Sequence, residues 1–392
     1  MSNILTPVKD DLQKLTISDL TLIAERASDV LAQVHTIMAR PNPMKSAPVF
    51  TSAYIADLIK VDKKQIRYLA EKHNLPTGKK IPGSKFHEYT LREVMDWGAE
   101  LGKFPKRPAD KLGKAIATVN YKGGVAKTST TVALAQGLAL RNQKVLIIDC
   151  DGQGTATQLL GINPEQNVTN EQTIMPCIYG EQPDLRYAVQ QSYWENLSII
   201  PASSGILAAE FALPGRAMKT RGFEFWNVLN KGINSLREEF DVILFDTSPS
   251  LSHLTINSML AADALLMPCP PDALDFASSA QFWGLFAELA ESLPGVAENK
   301  TYDFMTVVYT KVQSNDAARL VKTWMEKAYG SHINGIEIPE STAAKMATAQ
   351  LKTIYDLARP DGSLDAYKRY KDPVDRLADY VLDKVAVTWR SK

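Results

Sequence analysis

The chain has 392 residues, of which 45% are hydrophobic and 22% are charged, a composition typical of a soluble globular protein. Its 44 Lys and Arg residues balance 44 Asp and Glu residues, which excludes a globally basic DNA-binding protein but allows local basic patches. No apolar run is long enough to span a membrane, and no secretory signal pattern opens the sequence. The cysteines, Cys150, Cys177 and Cys269, form no metal-binding pattern, so we expect buried thiols in a reducing cytosol.

Residues 8–39 carry apolar side chains at spacings of mostly three and four, which predicts an amphipathic helix. Ser18 with Asp19 is the candidate amino-terminal cap, and Pro41 and Pro43 end the helix. A lone helix of this length has no core of its own. Its apolar stripe, within residues 1–44, therefore packs either on the same chain or as a dimer contact with a second copy.

Residues 45–101 have the outline of a small separate domain. Thr51 is the candidate cap of a first helix, and a second helix covers residues 63–73. A turn at residues 81–85 joins two short segments, and Thr90 with Glu93 has the spacing of a capping box. Helix, turn, helix, hairpin and helix is the outline of a winged helix-turn-helix DNA-binding domain.

The charge of this domain favours a DNA contact. Residues 60–87 contain eight Lys and Arg side chains against two acidic ones. The candidate DNA-binding residues of the second helix and the hairpin are Lys63, Lys64, Gln65, Arg67, Lys79, Lys80 and Lys85. Lysine and arginine suit phosphates, whereas Gln65 and Arg67 can also reach base edges. The alternative is an ordinary solvated lysine face. Residues 102–114, which are basic and contain two prolines, predict a linker.

From residue 115 onward, apolar segments alternate with helical stretches. The predicted strands are 116–119, 145–148, 197–200, 242–245, 264–267, 304–309 and 333–338. This alternation predicts an α/β domain over residues 115–392, with a mostly parallel sheet covered by helices on both faces.

The stretch Lys122-Gly123-Gly124-Val125-Ala126-Lys127-Thr128 lies between a predicted strand and a predicted helix, which is the context of a phosphate-binding loop (P-loop). We assign nucleotide binding to these residues and Ser129, because backbone N–H groups at a helix start surround phosphate oxygens. Lys127 is placed to reach the β- and γ-phosphates, and the Thr128 hydroxyl to bind Mg²⁺. Tyr121 and Ala126 stand where the usual G-x-x-x-x-G-K-[ST] pattern has glycine, and Lys122 is an added lysine.

Two further predicted strands end in aspartate. Asp149 and Asp151 follow residues 145–148, and Asp246 follows residues 242–245. Because ligands bind at the carboxyl ends of parallel strands, we assign Asp149 and Asp246 to Mg²⁺ and Asp151 to orienting the attacking water. Loop-capping aspartates are the alternative.

Three segments at later predicted strands, 268–271, 308–311 with Thr310 and 338–341 with Pro339, are candidates to wall the base and ribose of ATP or ADP. Turn residues without a ligand role are the alternative at these positions.

At this point the chain resembles the large, plasmid-type ParA/SopA partition ATPases, which have a deviant Walker A motif. The matching motifs are KGGVAKT (122–128), DCDGQGTAT (149–157), DVILFDTSPSL (241–251) and PPDALDFASS (270–279). The resemblance covers residues from about 115 onward, and the preceding helix and winged helix fit the large subgroup. One departure is Gly152, where many members have proline.

The resemblance implies a mechanism. Two ATP-bound subunits form a nucleotide-sandwich homodimer, in which Lys122 reaches the partner's phosphates and joins Lys127 and Asp151 in catalysis. The dimer binds DNA without sequence preference, with or without forming filaments on it, and a ParB-type centromere-binding protein stimulates hydrolysis. The winged helix represses the protein's own operon. Lys368, Arg369 and Lys371 resemble the family's non-specific DNA contacts, a solvated helix surface being the alternative.

Two other functions remain open. A MinD-like positioning ATPase requires an amphipathic membrane-binding carboxyl terminus, whereas a nucleotide-sensing transcriptional regulator requires no partition role. An iron protein of the nitrogenase type requires paired cluster-binding cysteines, which the three cysteines do not supply. We therefore expect a bacterial, cytoplasmic, nucleoid-associated protein without membrane binding.

Overall fold

The computed structural model describes residues 16–38, 45–84, 86–357 and 364–390 of a chain that divides into two units, Met1–Lys45 and Ser46–Lys392. Ten α-helices are described up to the middle of the chain: α1 (Ile17–Met38), α2 (Ser52–Ile59), α3 (Ile66–His73), α4 (Leu91–Leu101), α5 (Lys127–Leu140), α6 (Thr155–Leu159), α7 (Pro164–Asn167), α8 (Met175–Tyr179), α9 (Ala209–Lys219) and α10 (Val228–Ile233). Those that follow are α11 (Leu236–Glu239), α12 (His253–Ala261), α13 (Ala273–Ser292), α14 (Val296–Asn299), α15 (Asp316–Tyr329), α16 (Thr342–Ala349) and α17 (Leu364–Arg390). None of these described helices is both long and apolar enough to cross a membrane.

The strands among the described residues are β1 (Phe50–Thr51), β2 (Lys79–Lys80), β3 (His87–Tyr89), β4 (Lys114–Thr118), β5 (Val145–Cys150), β6 (Gln190–Gln191), β7 (Leu197–Ile200), β8 (Val242–Thr247), β9 (Ala264–Cys269), β10 (Phe304–Val312) and β11 (Ile333–Pro339). Short 3₁₀ turns occupy Lys63–Gln65, Asn170–Gln172, Arg186–Ala188, Ser204–Ala208, Gly330–His332 and Ile354–Asp356.

The first unit is described by α1 alone. Thr16 and Asp19 cap this helix reciprocally: the Thr16 N–H donates to Asp19 Oδ2 at 2.7 Å, and the Asp19 N–H donates to Thr16 Oγ1 at 3.3 Å. The predicted partner Ser18 is wrong, since it lies inside the helix. Pro41, Pro43 and the predicted helical residues before Thr16 lie outside the described residues.

The large sheet has the strand order β11-β10-β9-β4-β8-β5-β7-β6. All neighbours are parallel except β6 and β7, so the predicted, mostly parallel sheet is confirmed. The seven predicted strands correspond to β4, β5 and β7–β11. The two-residue strand β6 was not predicted, because Gln190 and Gln191 carry no apolar signal.

Successive side chains of each strand point to opposite faces of the sheet, so the hydrophobic core lies on both faces. On β5 and β8, Val145, Ile147, Val242 and Leu244 pack with α5 and α17 on one face. The intervening residues, such as Leu146 and Ile243, pack with α8–α13 and α15 on the other. The sheet is therefore buried on both faces, which explains why its strands read as nearly continuous apolar runs.

Residues 50–101, which we call the helix–hairpin region, contain α2, α3, the sheet β1-β3-β2 and α4. Their caps match the predicted signals. Thr51 Oγ1 accepts from the Tyr54 N–H at 3.3 Å, and Thr90 and Glu93 form a capping box at the start of α4. Lys63–Gln65, predicted as helix, forms a 3₁₀ turn capped by Asp62.

The helix–hairpin region belongs to the same compact unit as the large sheet. Residues of α2 and α4, such as Ile55 and Trp97, share one hydrophobic cluster with α5 and α17. In the segment predicted as a linker, Arg107 Nε donates to Asp241 Oδ1 at 2.7 Å. This segment is thus fixed to the surface of the sheet domain.

Helices α5 and α17 approach closely at Gly137. A Cβ at this position would lie 2.9 Å from Cβ of Ala378 and 3.0 Å from the Tyr355 hydroxyl, so a side chain there would separate the helices. One turn later, Arg141 is buried, and its Nε donates to Asp379 Oδ1 of α17 at 2.7 Å. The carboxyl end of α5 is therefore locked to α17 by packing and by charge.

Candidate functional site

The glycine-containing loop connects the carboxyl end of β4 to the start of α5, as predicted. Lys127 is the first residue of α5, and its ammonium donates to the Lys122 carbonyl at 3.1 Å across the loop. The Thr310 hydroxyl donates to the Val125 carbonyl at 2.9 Å. These two bonds hold the loop open around the amino end of a helix, where N–H groups and the helix dipole attract anions.

The register of the sheet places two carboxylates side by side. Asp149 of β5 pairs with Asp246 of β8, and both belong to the alternating set that faces α5. Neighbouring strands lie about 4.8 Å apart, so these side chains crowd each other. Both are fully buried.

Burial raises the pKa of Asp246 above its ordinary range, and the neighbouring charge of Asp149 raises it further. Burial also raises the pKa of Asp149, against hydrogen bonds from Thr157 that lower it. The same burial lowers the pKa of Lys127, whereas Asp246 and Asp151 favour its charged form. The site therefore holds two buried carboxyl groups that resist ionising together, with one buried ammonium beside them.

The oxygens fit a magnesium ion. Asp246 Oδ2 is buried, and it has no hydrogen-bond partner among the described residues. The Thr128 side chain bonds to the same carboxylate. No group of three or more His, Cys, Asp or Glu side chains in the described ranges is arranged to hold a metal. Mg²⁺ in nucleotide sites takes one or two carboxylates together with phosphates and water, and the unpartnered oxygen of Asp246 is a ligand of that kind.

Asp149 is held firmly by its surroundings. Its Oδ2 accepts from the Thr157 hydroxyl at 2.7 Å and from the Thr157 N–H at 3.0 Å. These bonds fix the orientation of the Asp149 carboxylate.

Asp151 follows β5 and lines a cleft of about 500 Å³ beside the loop. Its Oδ1 accepts from the Gln153 N–H at 3.0 Å, which fixes the turn. At Gly152 a Cβ would lie 2.9 Å from Cγ of Leu207. Leu207 thus fills the space beside the position where many members of the resembled family have proline.

The added lysine has a partner that the sequence reasoning missed. Lys122 Nζ lies 2.9 Å from Asp275 Oδ1 at the start of α13, and this hydrogen bond raises the pKa of Lys122. Asp275 belongs to the motif at 270–279, but spacing alone did not reveal its contact. In the single chain, therefore, Lys122 is paired within its own subunit.

The cleft continues past the loop toward β11, α16 and α17. The residues that line it as expected are Gly123, Gly124, Ala126, Lys127, Thr128, Ser129, Thr310, Lys311, Pro339 and Glu340, and the unpredicted ones are Ala344, Thr348 and Tyr370. Val125 is buried instead, so that only its backbone can contribute. Thr310 bonds to the loop, which makes it a support as well as a wall.

The candidate DNA-binding residues fall into separate groups. Those that are exposed on the helix–hairpin region are Lys63, Lys64, Gln65, Arg67, Lys79 and Lys80. Lys85 lies outside the described residues. On α17, Lys368 and Arg369 are exposed.

The prediction that Lys371 binds DNA is wrong. Its side chain is buried, it forms an ion pair with Asp375, and its ammonium lies 4.4 Å from the centre of the Tyr54 ring. A buried, paired ammonium is not available to a phosphate. Adjacent charges in the sequence do not reveal that Lys371 is buried, whereas Lys368, three residues earlier on the same helix, is exposed.

Comparisons with known proteins identify similar sequences and a similar fold. A family model described as an AAA domain matches residues 113–295. Protein SopA of Escherichia coli (strain K12) is 29% identical over 314 residues, which cover 77% of this chain and 79% of SopA. Sporulation initiation inhibitor protein Soj of Bacillus subtilis (strain 168) is 34% identical over 161 residues, or 40% of this chain and 58% of Soj. A solved structure called Partition Protein has a TM-score of 0.66 and 20% identity, covering 96% of this chain and 99% of its own, and it shows the fold.

We predict that Ala126→Gly stabilises the nucleotide-free protein. Ala126 has φ +73°, a left-handed conformation that costs a residue with Cβ about 1–2 kcal/mol. Glycine removes this strain, but it also loses more chain entropy on folding, which offsets part of the gain. We therefore expect the free energy of unfolding to rise by about 0.5–1 kcal/mol. Urea denaturation measures the change. Ala135→Gly, within α5, is the control and lowers stability by at least about 1 kcal/mol. Equal losses in both variants would contradict the prediction.

We also predict that Asp246 makes the nucleotide-free, magnesium-free protein less stable as pH rises. Its pKa is raised in the folded state, so above the ordinary value of 3.8 the folded protein keeps a proton that the unfolded chain releases. Stability therefore falls as pH increases toward the raised pKa, by up to about 1.4 kcal/mol per pH unit.

Thermal unfolding across this pH range measures the effect. Asp246→Asn should flatten the dependence, whereas Asp383→Asn, at an exposed position of α17, should leave it unchanged. Parallel curves for the wild type and Asp246→Asn would show that Asp246 does not carry the proton.

Proposed function

We propose that this chain is a partition ATPase of the ParA/SopA type, which binds and hydrolyses ATP in order to segregate bacterial DNA; its similarity to SopA and to the AAA domain model supports this. The observation that carries the proposal is the set of groups around the P-loop. Lys127 at the start of α5, the paired carboxylates Asp149 and Asp246, and Asp151 at the cleft all meet at one edge of the sheet.

Each group has a role in the proposed reaction. Backbone N–H groups of residues 123–129 hold the phosphates, and the Lys127 ammonium contacts the β- and γ-phosphates. Thr128 and Asp246, with Asp149 acting through water, would hold Mg²⁺, which would supply positive charge to the phosphate oxygens. Asp151 orients the attacking water in line with the γ-phosphate.

Lys122 acts in a second subunit in this proposal. Its ion pair with Asp275 spans 2.9 Å in the single chain, and its side chain is 39% exposed. Because water reaches the Lys122 side of this pair, a triphosphate on a facing subunit, with its higher charge, is a stronger partner for the lysine. Formation of a nucleotide-sandwich homodimer then depends on ATP, because ADP lacks the γ-phosphate.

In this proposal DNA is both what the protein binds and what it segregates. The helix–hairpin region presents its exposed basic side chains as a winged helix-turn-helix for the protein's own operator. Lys368 and Arg369 of α17 contribute to non-specific binding in the ATP state, with or without filament formation. A ParB-type centromere-binding protein stimulates hydrolysis and releases the dimer. The protein works in the cytoplasm, associated with the nucleoid.

We predict that Asp151→Ala abolishes partner-stimulated ATP hydrolysis and keeps ATP affinity within about twofold of the wild type. The carboxylate orients water but does not hold the phosphates, so removal lowers turnover by about 10²-fold or more. Phosphate release and binding of a fluorescent ATP analogue measure the two effects. Asp383→Ala, a matched exposed aspartate on α17, should leave both unchanged. Full turnover in Asp151→Ala would remove this residue from the mechanism.

We predict that Lys122→Ala weakens ATP-dependent dimerisation and hydrolysis but not ADP binding. The lysine meets the partner's phosphates only in the dimer, and loss of a charge-assisted bond of this kind costs about 1.5–3 kcal/mol. Analytical ultracentrifugation with a non-hydrolysable ATP analogue measures dimerisation. Lys144→Ala, at an exposed position, is the control. A parallel loss of ADP affinity would instead assign Lys122 to its own subunit's nucleotide.

A further inference from the structure

Two consecutive residues of α17 face two different parts of the molecule. Tyr370 lines the nucleotide cleft together with Ala344 and Thr348 of α16. Lys371, the next residue, is buried against Tyr54 of α2 in the helix–hairpin region. One turn of a single helix therefore touches both the ligand site and the region that we propose binds DNA.

Tyr370 is suited to hold a nucleotide base. Among the described residues that line the cleft, it is the one aromatic side chain, and it packs on the core beside the end of β11. The P-loop occupies another part of the same cleft. A flat aromatic ring supported from behind by the core is a surface on which a purine stacks.

Lys371 is held by several buried contacts. It forms an ion pair with Asp375, whose Oδ1 also accepts from the Tyr355 hydroxyl at 2.6 Å. Its ammonium lies 4.4 Å from the centre of the Tyr54 ring, at the distance of a cation–π contact. Buried charges of this kind do not tolerate small displacements, because each lost contact leaves a charge without compensation.

A second connection runs along α5. Lys127 begins this helix at the phosphate site, and Arg141 follows its end. Arg141 donates to Asp379 of α17 at 2.7 Å, and Lys60 of the helix–hairpin region lies 3.6 Å from the same carboxylate. The end of α5 and the middle of α17, two helices that contribute to the nucleotide cleft, thus meet in one charged cluster that includes Lys60 of the helix–hairpin region.

We propose that Tyr370 and Lys371 relay nucleotide binding to the helix–hairpin region: a purine base against Tyr370 shifts α17, and the Lys371–Tyr54 contact carries the shift to the DNA-binding surface. The relay rests on the proposed function, because it needs both ligands. Packed interfaces change between discrete arrangements rather than continuously, so a small displacement of α17 repositions α2 and α3. Coupling of this kind changes affinity by about 5- to 150-fold.

The test measures DNA affinity with ADP, with a non-hydrolysable ATP analogue and without nucleotide. The probes are a labelled duplex from upstream of the protein's own gene and a duplex of random sequence. The ratio of affinities with and without nucleotide is the coupling. In the wild type we expect a ratio of at least about fivefold for the upstream duplex.

Lys371→Met and Tyr54→Leu remove the contact from its two sides. We expect the coupling ratio to fall to about one in both variants, whereas the affinity for a fluorescent ATP analogue stays within about twofold of the wild type. Lys384→Met, which removes the same charge from an exposed position of α17, should keep the full ratio. If Lys371→Met fails to fold, Tyr54→Leu decides the question. A folded variant of either kind that keeps the wild-type ratio overturns the relay.

Tyr370 is tested on the ligand side. Tyr370→Leu should weaken nucleotide binding by roughly tenfold, and Tyr370→Phe, which keeps the ring, should not. Unchanged binding in Tyr370→Leu would overturn the base contact. A coupling ratio of one in the wild type would also overturn the relay. In that case the proposed function itself would fail, because DNA binding would not depend on the nucleotide.

Discussion

The pairing of Asp149 with Asp246 is the constraint around which the site is built. Parallel register places these two carboxylates on neighbouring strands, on the same face and away from water. Like charges so close cannot both ionise without a cation. The Lys127 ammonium and the start of α5 supply positive charge at that point. The positive charge of the phosphate-binding loop therefore offsets the cost of burying two carboxylates side by side at this edge of the sheet.

Hydrogen bonds within the chain fix the shape of the loop. The Lys127 ammonium donates to the Lys122 carbonyl, and the Thr310 hydroxyl donates to the Val125 carbonyl. Ala126 accepts a strained backbone angle within this frame. A preformed loop reduces the ordering that binding must impose, which leaves more of the interaction energy for affinity. In the proposed function, the contact that changes is instead the ion pair between Lys122 and Asp275.

Sequence patterns predicted the sheet well because its strands are buried on both faces and each reads as an apolar run. Strand-end aspartates were predictable for the same reason, since parallel strands bring their carboxyl ends to one edge. Three features escaped. Strand β6 has only two glutamines, Asp275 meets Lys122 through the fold rather than through spacing, and Tyr370 joins the cleft from a helix far along the chain. Lys371 was misassigned because charge along a helix does not reveal which face is buried.

The continuous hydrophobic cluster that joins Ile55 and Trp97 to α5 and α17 limits how the chain can be divided. Cutting before β4 would not release an independent ATPase, because it would uncover apolar surface on two helices that support the nucleotide cleft. An exposed patch of that kind promotes aggregation. Helices α5 and α17, which touch at Gly137, would then lose their contacts with α2 and α4. Loss of solubility in a truncated chain would thus be evidence about packing and not about DNA binding.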